Sequence, residues 1–296
     1  MIRIVIFILA FHVCGVVFAA NDKAFFWQVK SDHATVYLMG SIHFADKSFY
    51  PLRPIIEQAF EDSNTLVVEL NVKDVDHQTY LKMISEQGTY KDATTIADVL
   101  SAETLLQLRQ RLHHLNLDYE AVKKYKPGIL VLTLSAAQVT QMGFDAELGI
   151  DTYFLSKALA QAQAKEIVEL ESLAQQLQLF LDIPNGDLLL KESLYSLDEA
   201  EVMMAEMVSI WKQGDVDQMN KMLFEDAISE YPAFTEIYDK LFYDRNKAMV
   251  EQIMTMLGNK KKAGESYFIV VGSGHLIGEH GILQALQKRG FSVKRI

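Results

Sequence analysis

Apolar residues change their spacing three times along this chain, and each change marks a different kind of element. Two aromatic and β-branched runs, Phe25-Phe26-Trp27-Gln28-Val29 and Thr35-Val36-Tyr37-Leu38-Met39, flank a polar Ser31-Asp32-His33 turn and predict two strands. Residues 51–62 place Ile55, Ile56, Ala59 and Phe60 on one helical face, and Thr65-Leu66-Val67-Val68-Glu69-Leu70 follows as an almost wholly apolar strand. Strand, helix and apolar strand predict a βαβ unit whose second strand is buried on both faces. Beyond Asp76 the spacing turns helical, with apolar residues repeating at three and four over 102–114, 127–142, 150–163, 187–213 and 234–257. Glu166-Ile167-Val168-Glu169-Leu170-Glu171 interrupts this pattern as a buried strand ahead of a helix at 173–181. The Met-rich stretch Val202-Met203-Met204-Ala205-Glu206-Met207 is expected to be core packing, because Met fills irregular gaps. Strand spacing returns at Ser266-Tyr267-Phe268-Ile269-Val270-Val271, followed by a helix at 279–289 and a last strand at 291–294. The predicted class is α/β. Two similar strand–helix–strand halves, about 25–75 and 264–296, form one sheet-based domain over 20–296, with a large helical insertion at about 76–258.

The first residues stand outside that fold. Arg3 is the only charge ahead of an apolar run over 4–18, which ends in Val17-Phe18-Ala19-Ala20. A short positive region, an apolar run and small residues at the −3 and −1 positions predict a signal peptide, residues 1–19, cut after Ala19. His12 and Gly15 break the run, which falls short of the ~20 residues that a membrane span needs. Phe11-His12-Val13 ahead of Cys14 also lacks the small residues of a lipoprotein site. Cleavage removes Cys14, the only cysteine. The exported chain then has no disulfide, thiolate nucleophile or Cys-ligated zinc, so any metal falls to His and carboxylates. No later segment approaches a span, so a periplasmic or secreted protein without a membrane span is expected.

Composition narrows the class further. At 296 residues, 50% hydrophobic, with 15 Gly and 5 Pro, the chain is neither disordered nor collagen-like. Its 28 basic and 39 acidic residues give a net charge of −11 and no basic cluster. Nucleic acid is therefore excluded as a partner, since no counterion release would drive binding. A peptide or small-molecule substrate is the expected partner.

The candidate chemistry lies at matching places in the two halves. Gly40-Ser41-Ile42-His43 follows the strand ending at Met39, and Gly272-Ser273-Gly274-His275 follows the strand ending at Val271. Both are G-x-x-H at the carboxyl end of an apolar strand, where open α/β sheets bind ligands. Paired in this way, His43 and His275 are candidate metal ligands or general bases. His33, His77, His113, His114 and His280 stand in polar turns or helices and are expected to be ordinary surface or cap histidines. Glu69 near the end of an apolar strand is costly unless it binds a metal, pairs with Arg or His, or points out of the strand end. Glu171 stands in the same position after its own strand. Arg245 alone reads as a surface helix charge.

Together with these two motifs, Val68-Glu69-Leu70, Gly149-Ile150-Asp151, Leu170-Glu171-Ser172 with Gln176, and Arg245-Asn246 with Met249 and Ile253 resemble the TraB/GumN family, which also contains the Tiki metalloproteases. The tail, Gly281-Ile282-Leu283 through Arg289-Gly290-Phe291-Ser292-Val293, is similar as well, and the resemblance covers about 27–296. It implies a two-half α/β fold with the paired histidines at a shared site, and a metal-dependent protease using Mn²⁺ or Co²⁺ rather than Zn²⁺. On that basis His43, Glu69 and His275 are assigned to the metal, Glu171 to a base or supporting role, and Arg245 to oxyanion or carboxylate pairing. One departure is Gly274, which makes the second motif more flexible than the first, where Ile42 stands. There is no H-E-x-x-H, G-x-S-x-G or P-loop. The leading expectation is an exported metal-dependent hydrolase, in particular a peptidase. The alternatives are a non-catalytic haem- or ligand-binding protein of the same clan and an interaction protein docking through its helical insertion.

Export is checked by N-terminal sequencing of protein from the periplasm or medium, which is expected to begin at Ala20. An intact Met1 in a membrane fraction would make this an anchored protein instead.

Overall fold

The structure, a computed structural model, describes residues 22–161, 165–260 and 263–296; the expected signal peptide lies outside the described residues. Six strands form one mixed sheet in the order β4-β3-β5-β2-β1-β6. They are β1 Phe26–Lys30, β2 Ala34–Ser41, β3 Thr65–Val68, β4 Glu166–Glu169, β5 Glu265–Gly272 and β6 Val293–Arg295. Strands β2, β5, β3 and β4 run parallel, whereas β1 is antiparallel to both β2 and β6. The α/β class follows from the parallel centre, whose strands are apolar because helices cover them.

The strands of the two expected halves interleave. β5, from the C-terminal segment, lies between β2 and β3 of the N-terminal segment, and β6 returns beside β1. Nor is the middle segment an appendage. It contributes β4 to the sheet, while its helix Ile150–Ala160 packs on β3 and β5 and its helix Asp244–Leu257 packs on β2. Phe60, Phe154 and Phe268 meet with ring centroids 4.6–5.5 Å apart, joining two helices to β5. One continuous buried cluster runs from Phe25 through the middle segment to Leu286.

Most predicted elements lie within a few residues of the observed ones, and helices Ala102–His114 and Leu173–Leu181 have the predicted bounds. The departures have physical causes. The strand expected to be buried at 166–171 is β4, an edge strand with exposed and half-buried side chains, because nothing pairs with its outer side among the described residues. The predicted helix 187–213 breaks at Glu199 into Gly186–Asp198 and Ala200–Gln213. There the Met stretch is only half-buried, with Val202 72% exposed, so it is not the core packing expected. The 234–257 helix contains a π-helical turn, Asp239–Tyr243, immediately before Asp244–Leu257. Such turns shift side chains by one residue and recur at functional sites.

Outside the candidate site, Glu192 is a half-buried acid accepting hydrogen bonds from Tyr238 Oη and Ser196 Oγ, both 3.0 Å from its Oε1. Burial pushes its pKa up despite those bonds. A carboxylate with a raised folded-state pKa subtracts stability once ionised, and that cost vanishes as pH falls through the ordinary carboxylate range. Glu192→Gln keeps an acceptor for both hydroxyls. It is expected to raise the melting temperature by a few degrees at pH 7, with the difference closing by about pH 4.

Candidate active site

Parallel pairing of β2 with β5 puts Gly40 opposite Val271 and Ser41 opposite Gly272. The two G-x-x-H motifs therefore leave the sheet side by side and at one height. A Cβ built on Gly272 would lie 3.5 Å from both His43 Nε2 and His275 Cδ2, and 3.4 Å from Glu69 Oε1. The two rings are thus separated at those atoms by at most twice 3.5 Å. Only a residue without a side chain leaves this space open.

The motifs diverge beyond the strand ends. Gly272 caps a short helical turn, Ser273–Leu276, which curls His275 inward until it is 3% exposed. Gly274 is buried there. A Cβ on it would lie 2.9 Å from the Phe242 ring, so the expected flexibility is replaced by close packing. The Phe242 and His275 ring centroids are 5.3 Å apart. His43 instead lies in a bend and stays open, with 55% of its side chain exposed. It lines a cleft of about 410 Å³ together with Ser41, Phe44, Glu69, Lys73 and Asp151. His275 lies behind Glu69 and does not line this cleft, because its helical turn folds it against Phe242. Larger hollows run between the middle helices, one of about 630 Å³ along Met203 and Phe242. His43 and Glu69 stand at the first, and His275 and Glu171 are linked to it through Glu69 and Arg245.

Each imidazole is held through Nδ1. His43 Nδ1 is 3.0 Å from Asp151 Oδ1, and His275 Nδ1 is 2.6 Å from Asn246 Oδ1. An acceptor at Nδ1 fixes a hydrogen there, so that each ring in its neutral form carries its lone pair on Nε2. Asp151 reaches His43 because the Ile150–Ala160 helix starts against the motif: Ile150 N donates to Ile42 O, and a Cβ on Gly149 would lie 2.2 Å from the His43 carbonyl oxygen. Asn246 is held in turn by the His280 carbonyl, which accepts from its Nδ2 at 2.9 Å. His280 was expected to be an ordinary histidine, and only its backbone takes part.

The carboxylates form one network with Arg245. Arg245 donates from Nε to Glu171 Oε1 at 2.8 Å and from Nη2 to Glu171 Oε2 at 2.6 Å. Nη2 also donates to Glu69 Oε2 at 2.7 Å, and Nη1 donates to the Leu241 carbonyl. The three side chains keep 14%, 8% and 11% of their exposure in the order Arg245, Glu69, Glu171. Arg245 is thus a half-buried partner of carboxylates, not the surface charge its sequence context suggests. Gln176 adds a hydrogen bond to Glu171 Oε2, and Gly272 N–H donates to Glu69 Oε1 at 2.6 Å.

This surrounding pulls the protonation states apart. Burial would raise the Glu69 pKa, but His275, His43, Arg245 and the Gly272 N–H bring it down to about 2. Burial pushes His275 down to about 4, against the opposing charge of Glu69. For His43 the partial loss of solvent around the ring is outweighed by the charge and hydrogen bond of Asp151, and its pKa rises to about 9.

A family profile described as TraB/PrgY/gumN matches residues 25–295. The chain belongs to the TraB/PrgY/gumN family. Similar proteins include the uncharacterized protein YbaP of Escherichia coli, 24% identical over 85% of this chain and 87% of that protein. Metalloprotease TIKI2 of Xenopus tropicalis is 22% identical over 95% of this chain and 61% of its own length. An uncharacterized protein of Treponema pallidum is 19% identical over 91% of this chain and 82% of that protein. No solved structure gives a significant match.

Within this TraB/PrgY/gumN chain, the five residues singled out from sequence, His43, Glu69, Glu171, Arg245 and His275, fall into one linked cluster. Among the described residues no three His, Asp or Glu side chains are already gathered as a metal-binding group. His275 Nε2 and Glu69 Oε1 stand 3.7 Å apart. Sequence reasoning did not assign roles to Asp151, Asn246 or Ser41. Their only signal was membership of the quoted motifs, since a polar residue in a helix's first turn is ordinarily a cap.

In metal-free protein, the His43 ring is expected to titrate near pH 9 by NMR, and Asp151→Asn to bring it toward the ordinary value of about 6.5. A His43 midpoint unchanged by Asp151→Asn would show that the pairing does not set it.

Proposed function

We propose that this chain is an exported metal-dependent hydrolase acting on peptide bonds, with a divalent ion, Mn²⁺ or Co²⁺ rather than Zn²⁺, held by His43, Glu69 and His275. The observation that carries this is the convergence of His43 Nε2, the His275 ring and Glu69 Oε1 around the space beside Gly272. The donor chemistry fits such an ion. Both imidazoles have Nδ1 engaged by a second residue, the usual arrangement that frees Nε2 for a metal, and a carboxylate supplies negative charge. A bound ion would supply Lewis acidity toward a substrate carbonyl and water. The likeness to a protein named metalloprotease supports the same reading.

The chain's own residues would then divide the work. Asp151 and Asn246 orient the two rings. Arg245 holds the Glu69 and Glu171 carboxylates in place, with Glu171 supporting Arg245 through both of its oxygens. The cleft beside His43, with Phe44, Leu70 and Val72 on its wall, takes the substrate. The finer architecture, two similar strand–helix–strand halves that share one sheet and are separated in sequence by a helical insertion, belongs to the same proposal. So does the export of the mature chain to the periplasm or medium. Among the described residues no helix is long and apolar enough to cross a membrane.

His43→Ala and His275→Ala are each expected to abolish metal-dependent peptide hydrolysis, and Glu69→Gln to weaken metal binding, measured as metal content and cleavage with Mn²⁺, Co²⁺ and Zn²⁺ in turn. Gly272→Ala meets its neighbours only at ordinary contact distance, so the fold should survive while metal content and activity both fall, because the added methyl enters the space the ion would take. If all these variants bind metal like the parent while haem binds tightly to each, the hydrolase reading fails and a haem-binding protein replaces it.

A further inference from the structure

We propose that Ser41 is a catalytic residue whose hydroxyl donates a hydrogen bond to the carbonyl oxygen of the peptide bond being cut, a role that rests on the hydrolase reading. Ser41 is 3% exposed, yet its Oγ has no hydrogen-bond partner among the described residues. Buried hydroxyls are ordinarily satisfied, and one left without an acceptor costs stability. Ser41 is one of the residues lining the cleft that His43 and Glu69 also line, with its hydroxyl just beneath that surface. Its backbone is firmly held, since Ser41 pairs with Gly272 in the sheet and its carbonyl accepts from Ser273 Oγ at 3.0 Å. A donor held rigid before substrate arrives is what stabilises charge developing on a carbonyl oxygen.

Two neighbours leave that task to Ser41. Arg245 is the obvious cationic candidate, but its Nε, Nη1 and Nη2 are all engaged by Glu171, Glu69 and the Leu241 carbonyl. Lys73, in the same cleft wall, is paired with Glu147. Ser41 is also a poor nucleophile, because no base accepts a hydrogen bond from its Oγ. The hydroxyl is left to donate. Its match is a neutral carbonyl that gains negative charge during the reaction, beside a carboxylate that would repel a substrate already anionic.

The test uses the mature chain loaded with Mn²⁺ and a mixture of internally quenched peptides. Ser41→Ala is expected to lower kcat by about 100-fold, the usual effect of losing one such donor, with KM changed by less than about threefold. Its Mn²⁺ content should match the parent and its melting temperature should hold or rise, since a costly unmade bond is removed. Ser273→Ala removes a bond that is made, and its melting temperature should fall. An active parent whose Ser41→Ala variant is equally active overturns the proposal alone. A loss of kcat accompanied by a lower melting temperature or lost Mn²⁺ gives Ser41 a structural role and overturns it too. A parent that cleaves no peptide removes the hydrolase reading, and the proposal with it.

Discussion

Everything at the candidate site depends on the parallel pairing of β2 with β5. These strands are more than two hundred residues apart in sequence, yet their register sets Ser41 opposite Gly272. A slip of one residue would turn every side chain to the other face, so the apolar strands of the core hold the register. Trp211 adds a lock from the middle segment, donating its indole N–H to the Gly40 carbonyl in the buried interior. The histidines meet because a packed sheet leaves them no other height at which to emerge.

Around that junction the protein keeps charges that would be costly alone. Arg245 satisfies the buried carboxylate of Glu69 and the half-buried one of Glu171 at once, and its planar fork suits the bidentate contact with Glu171. Removing one partner would leave an uncompensated buried charge, typically worth ~3–5 kcal/mol. The cluster thus ties β3, the end of β4 and the Asp244–Leu257 helix into one unit. The π-helical turn just before that helix sets Phe242 against His275 and Arg245 against the carboxylates.

The same fold makes two copies of one motif chemically unlike. His43 keeps an anionic partner, Asp151, and contact with solvent; His275 has a neutral partner, Asn246, and almost none. One ring is drawn toward the charged form and the other toward the neutral form. Sequence symmetry between Gly40-Ser41-Ile42-His43 and Gly272-Ser273-Gly274-His275 conceals this, because the difference lies in what packs beside each.

By itself the sequence determined the alternation that builds the strands, the helical spacing of the middle segment, and the candidate group His43, Glu69, Glu171, Arg245 and His275. These are short-range properties: a G-x-x-H after an apolar strand, or an acid among aliphatic residues, carries its cost and its chemistry locally. Only the tertiary structure decided that β5 lies between β2 and β3, which turned two apparent halves into one interleaved sheet. It also decided that β4 is an edge, that Arg245 turns inward to two carboxylates, and that Asp151 and Asn246 stand behind the two rings. Strand order and helix docking are settled by the packing of surfaces distant in sequence, and no local pattern of residues records which surface meets which.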